Sequence, residues 1–156
     1  MTELKDVLHL YLWCECLMDS KTMGRLTGME TRDSDMLMLT VSLSDDPEDW
    51  TIYNDDEEFG RIKPILKSLS SMTEEEAKEL LRIRYGKPGF HFNPIYERHS
   101  SLCIDFKFES EAGKFNRTQL DWDMLDAESV QYLLSKSFDL FNLIPRGLAI
   151  DKTTLK

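Results

Sequence analysis

A chain of 156 residues with 41 % hydrophobic and 31 % charged residues has the balance of one globular domain, expected to span residues 1–156. Its net charge of −10 repels phosphate backbones, which sets nucleic acid aside as a partner. No apolar run approaches the roughly 20 residues of a membrane helix, and the N-terminus MTELKDVLHLYLW lacks a small-residue cleavage site, so no membrane partner is expected and the chain should be soluble and intracellular.

Leu4, Val7, Leu8, Tyr11 and Leu12 fall at i, i+3, i+4, i+7 and i+8 spacing, which predicts an amphipathic helix over residues 2–13. Residues 23–32 and 36–43 then alternate as strands, with Leu37, Leu39, Val41 and Leu43 on one face and Asp33-Ser34-Asp35 as the turn of a hairpin. Residues 44–49 form a polar loop, Trp50 to Tyr53 a short strand, and residues 54–60 another polar connection. Lys63 to Leu69 is extended, and Pro64, which has no amide hydrogen, places it at a sheet edge.

Thr73-Glu74-Glu75-Glu76 is a capping box, so a helix should run from there to about Arg84, burying Ala77, Leu80 and Leu81 before Gly86 and Pro88 stop it. Residues 89–98 read as a loop. Leu102, Ile104, Phe106 and Phe108 alternate with Cys103, Asp105, Lys107 and Glu109, the clearest strand in the chain, and Glu111-Ala112-Gly113 turns it towards a partner near Phe115 to Trp122. A last helix starts with Asp126 as N-cap, carries Leu133, Leu134, Phe138 and Phe141 on one stripe, and stops at Pro145. Leu148, Ile150 and Leu155 then anchor an ordered C-terminal segment, either as a final strand or as a contact for a homo-oligomer. Strands in the middle and helices near positions 3, 73 and 126 predict an α+β fold: an antiparallel sheet of about five to six strands with helices packed on one face.

The net charge is concentrated. Asp45, Asp46, Glu48, Asp49, Asp55, Asp56, Glu57 and Glu58 place eight acids and no base between positions 45 and 58, whereas the remaining 21 acids and 19 bases nearly balance. With Trp50 between them they are the candidate partner-binding residues, although an acidic run also serves simply as a solvated face. The same window is a poor calcium loop: read from Asp45, position 3 is Pro47, position 6 is Trp50 and position 12 is Asp56. His9, Cys14, Cys16, His99 and Cys103 lack the paired spacing of a zinc site, and three cysteines cannot build a disulfide framework. Asp121 and Asp123, like Asp105 and Glu109, read as solvating carboxylates rather than a catalytic pair, and Gly24 to Gly28 reads as strand rather than phosphate loop. No catalytic, metal or cofactor site is therefore assigned, and the expected activity is non-catalytic. A small metal-dependent hydrolase whose site the sequence hides is the alternative.

Two stretches, KPILKSLSSMTEEEA (residues 63–77) and FDLFNLIPRGLAIDKTTL (residues 138–155), resemble small uncharacterised proteins encoded by phages, prophages and mobile elements of anaerobic gut bacteria. Those proteins commonly carry a KPILRPLSDMT-like segment and end in FDIFGLIEAGLAIDINTL-like residues. The likeness covers about a fifth of the chain and departs from the pattern at Pro145-Arg146. It implies an accessory protein in the cytoplasm of a bacterial host, with a host or phage protein as partner, and it supplies no catalytic residues.

Overall fold

The structure, a computed structural model, describes residues 3–19, 21–32, 36–43, 50–53, 61–88, 93–110 and 112–155. It has the mixed α+β class expected from the sequence, with the strands divided between two sheets of six and three strands. The chain forms two compact units, Met1–Lys67 with Phe141–Lys156, and Ser68–Leu140.

The first unit opens with a box in which the Glu3 amide donates to Asp6 Oδ2 at 2.9 Å, starting α1 (Leu4–Val7). The expected long helix is instead this single turn followed by a 3-10 turn at Leu8–Tyr11, which together bury Val7, Leu8 and Tyr11. The backbone then reverses through Trp13, at φ 74°, whose amide donates to Leu26 O. A strand outside the expected set follows, β1 (Glu15–Met18), burying Cys16 and Met18.

The hairpin forms as expected from β2 (Thr22–Arg32) and β3 (Met36–Ser42), antiparallel from Arg25 opposite Ser42 to Arg32 opposite Met36. Its turn at 33–35 lies outside the described residues. Leu39 and Val41 are buried. Gly24 is a glycine by necessity, because a Cβ there would stand 2.6 Å from Val41 Cγ1 and 3.1 Å from Met18 Cε. β4 (Trp50–Tyr53) pairs antiparallel with β3 and forms one end of the sheet.

β5 (Ile62–Leu66) is not the edge that Pro64 suggested; it lies between β1 and β9 (Ile150–Asp151) in the order β4-β3-β2-β1-β5-β9. The two-residue β9 pairs only with Ile65 and Leu66, so the missing amide of Pro64 falls outside that ladder. This last pair is parallel, whereas every other pair in the sheet is antiparallel.

In the second unit the Thr73 amide donates to Glu76 Oε2 at 3.0 Å and the Glu76 amide to Thr73 Oγ1 at 3.2 Å, the reciprocal box that starts α2 (Glu74–Tyr85). The expected loop contains β6 (Pro94–His99), an edge strand with the proline as its first residue, where a strand tolerates it. β7 (Cys103–Glu109) lies between β6 and β8 (Phe115–Asp121). α3 (Ala127–Ser135) is capped by Asp126, whose Oδ1 accepts from the Ser129 amide at 3.1 Å. Ala77, Leu80 and Leu81 of α2, Ile104 and Phe106 of β7, Leu120 of β8 and Leu133 of α3 form one core with Met72 and Phe138.

The last helix stops nine residues short of Ile144 because Ser137 takes φ 59°. Phe138 N donates to Leu133 O at 3.0 Å and Ser137 N to Leu134 O at 2.9 Å, the paired bonds of a Schellman motif. Phe138 is thereby folded back into the core beside Leu133, whereas Phe141 belongs to the first unit and meets the Tyr11 ring edge-on at 6.2 Å. The same bonding recurs ten residues later: Leu148 N donates to Leu143 O and Gly147 N to Ile144 O, with Gly147 at φ 71°.

Phe138→Ala should lower the unfolding free energy by about 3–5 kcal/mol through the cavity it leaves. An unchanged midpoint in urea would sink the packing assignment. Ser137→Gly should raise stability by roughly 0.5–1 kcal/mol, since glycine adopts the left-handed conformation without the Cβ clash; loss of stability in the same titration would mean that the serine side chain contributes something the turn geometry does not explain.

Candidate functional site

Of the candidate partner-binding residues, Asp45, Asp46, Glu48, Asp49, Asp55, Asp56, Glu57 and Glu58 lie outside the described residues, and Trp50 is described only by its backbone position at the start of β4. The five metal-like residues do not come together. Cys14 and Cys16 are buried in the first unit, while Cys103 and His99 stand in the second, where His99 Nδ1 lies 2.9 Å from Tyr96 OH. Among the described residues no group of three or more His, Cys, Asp or Glu side chains is placed to hold a metal ion.

All three thiols are held in the protonated form. Burial pushes Cys14 up to about 12, with the neighbouring Cys16 and Glu15 adding to the shift, and pushes Cys16 up to about 11. Cys103 is raised chiefly by burial, and the Asp105 carboxylate adds to it. Reactive cysteines have lowered values, so these three behave as structural thiols.

The polar side of the second sheet carries the best-formed group of functional side chains. A bulge between Tyr96 and Arg98 interrupts the β6 register, so that Arg98 stands opposite Asp105, which in turn stands opposite Gln119 of β8. Arg98 Nε donates to Asp105 Oδ2 at 2.5 Å, and Gln119 Nε2 donates to Asp105 Oδ1 at 2.8 Å. Cys103 Sγ lies 3.7 Å from the same oxygen. Glu97, the bulged residue, accepts from Arg117 Nε at 3.2 Å. Glu97, Arg98, Asp105, Arg117, Thr118 and Gln119 line a concavity of about 730 Å³. Beside it Lys107 Nζ sits 5.4 Å from the centre of the Phe115 ring, which is 58 % exposed.

This arrangement was not legible in the sequence, because residues 89–98 read as a loop and Asp105 as a solvating acid. Asp105 is only 18 % exposed and is held ionised, its carboxyl lowered below the ordinary 3.8 first by the Arg98 hydrogen bond and then by Gln119. Asp121 and Glu109, by contrast, are exposed as expected. The signal that could have been read is the apolar pair Ile95 and Tyr96 next to alternating charges, which is a short strand despite Pro94.

Comparisons with protein-family models, with curated proteins and with solved structures find no match to this chain.

A carboxyl with a depressed folded value contributes stability that is present above its unfolded value of about 3.8 and lost as pH falls through the folded one. Unfolding by urea between about pH 5 and pH 2 should therefore show a steeper loss in the wild type than in Asp105→Asn, which has no carboxyl to protonate. Parallel curves for the two chains would show that the Arg98 and Gln119 bonds contribute nothing in solution.

Proposed function

We propose that this protein is a non-catalytic accessory protein of a phage or mobile element, acting in the bacterial cytoplasm by binding a host or phage protein through its acidic window. The observation that carries the reading is the position of β4. Among the described residues this strand pairs only with β3 and ends the six-stranded sheet. Asp45, Asp46, Glu48 and Asp49 precede it within five residues, and Asp55, Asp56, Glu57 and Glu58 follow it within five. Eight carboxylates are thus tethered to the two ends of an edge strand. A basic partner would be drawn to such a field, and steering of this kind acts mainly on the association rate.

Capture from a lysate of a bacterial host identifies the partner, and its association is then followed by rapid mixing. The association rate should fall as salt rises, because exposed charges are screened over about 8 Å at physiological ionic strength. Replacing Asp45, Asp46, Glu48 and Asp49 by Asn or Gln should slow association by on the order of tenfold while the melting curve stays in place. A partner indifferent to both salt and these substitutions would refute the acidic-surface mechanism, and turnover of a substrate by the purified chain would overturn the non-catalytic assignment.

A further inference from the structure

The concavity on the polar side of the second sheet is unequal in its unused valences. Asp105 already accepts three contacts, from Arg98 Nε, Gln119 Nε2 and Cys103 Sγ. Glu97 accepts from Arg117 through Oε1. Each arginine, however, spends only its Nε on its carboxylate, so among the described residues the Nη groups of Arg98 and Arg117 have no hydrogen-bond partner. Both side chains are about four-fifths exposed, at 82 % and 80 %. Each is nevertheless tethered, through its Nε contact, to a carboxylate bordering the same recess. Thr118 and Gln119 complete the same wall. What the surface offers to solvent is thus chiefly donors, in a recess.

We infer that this concavity is a binding site for a small oxyanion, a carboxylate or a phosphate, held by the Nη groups of Arg98 and Arg117. The bulge is what makes the site: it sets Glu97 and Arg98 so that one engages Arg117 and the other Asp105, and the two guanidinium groups border one recess instead of pairing away from it. A planar carboxylate matches one guanidinium fork bidentately, and a tetrahedral phosphate can take donors from both. Asp105 and Glu97 act as positioning residues, fixing the arginines rather than touching the ligand.

The test uses the full chain and two probes, inorganic phosphate and succinate, each titrated at constant ionic strength while amide and arginine Nε resonances are followed by NMR. Saturable shifts confined to Arg98, Arg117, Thr118, Gln119 and their strand neighbours are expected. Tighter binding of phosphate assigns the tetrahedral ligand and tighter binding of succinate the planar one. Arg98→Gln and Arg117→Gln should each weaken binding by on the order of tenfold, the value of one charge-assisted hydrogen-bonding group. Because those substitutions also break an ion pair, Arg98→Lys and Arg117→Lys provide a second reading: each keeps a cation beside its carboxylate, removes the Nη fork and should still weaken binding. Failure to saturate in the wild type, or equal titration of the wild type and both lysine variants, overturns the assignment.

Discussion

The return of the chain to the first sheet depends on two residue pairs, Ile65 with Ile150 and Leu66 with Asp151. Parallel pairing requires a crossover between the strands, and here the crossover is the whole of residues 67–149. Loop-closure entropy rises only slowly with length, by about 0.6 kcal/mol for each doubling, and most of the intervening chain is already ordered by a core of its own. A two-residue ladder can therefore hold, provided that the strand arrives in the right conformation. Local bonds see to that. Leu148 and Ala149 both donate to Leu143 O, Ala149 is buried, and Asp151 Oδ1 accepts from the amide and the hydroxyl of Thr153. The ion pair from Lys152 to Glu15, at 3.3 Å between half-exposed side chains, adds little by comparison.

This pair also joins two stretches of the chain, residues 63–77 and 138–155. Residues 63–77 supply β5 and the capping box of α2, and residues 138–155 supply Phe138, the glycine turn at 147, β9 and its cap. They are distant in sequence and adjacent in the sheet. Their roles are in pairing, turning and capping. The residues of the polar concavity lie outside both stretches, as does the acidic window, so the features proposed to bind ligands are separate from those that build the sheet.

The parts of the fold that could be read from sequence are those in which a local pattern and the tertiary structure require the same thing. The alternation around Ile104 and Phe106, the Thr73 box and the Asp126 cap each satisfy a nearby backbone or bury one face, and each appears as expected. Where tertiary pairing decides, the local pattern misleads. Pro64 suggested an edge, but the neighbouring strand is too short to need its amide. Pro94 suggested a loop, yet a first residue on an edge strand accommodates it. Phe138 and Phe141 kept helical spacing after the helix had ended, because a Schellman turn brings a residue five positions on back against the helix and so imitates another turn of the apolar stripe. β1 was hidden by its length, since Cys16 and Met18 give only two inward positions. The concavity was illegible for a related reason: its side chains come from three strands, one of them unassigned, and a bulge sets their register.

The two proposed surfaces differ in their electrostatics. On the polar side of the second sheet Arg98 pairs with Asp105 and Arg117 with Glu97, so an anionic ligand meets local charges that nearly cancel, within a chain of net charge −10. Its attraction is a matter of contact, resting on donors within hydrogen-bonding distance, while the net charge of the chain repels it at long range. Salt screens the second more than the first, because screening over about 8 Å leaves contacts near 3 Å largely intact. For a basic partner at the acidic window the situation is reversed, since the attraction itself is long-ranged and is what salt removes. The two modes of binding thus have different salt dependences, steep weakening for the cationic partner and a flat or slightly favourable response for the oxyanion, and this difference follows from the concentration of eight of the 29 acids in fourteen residues.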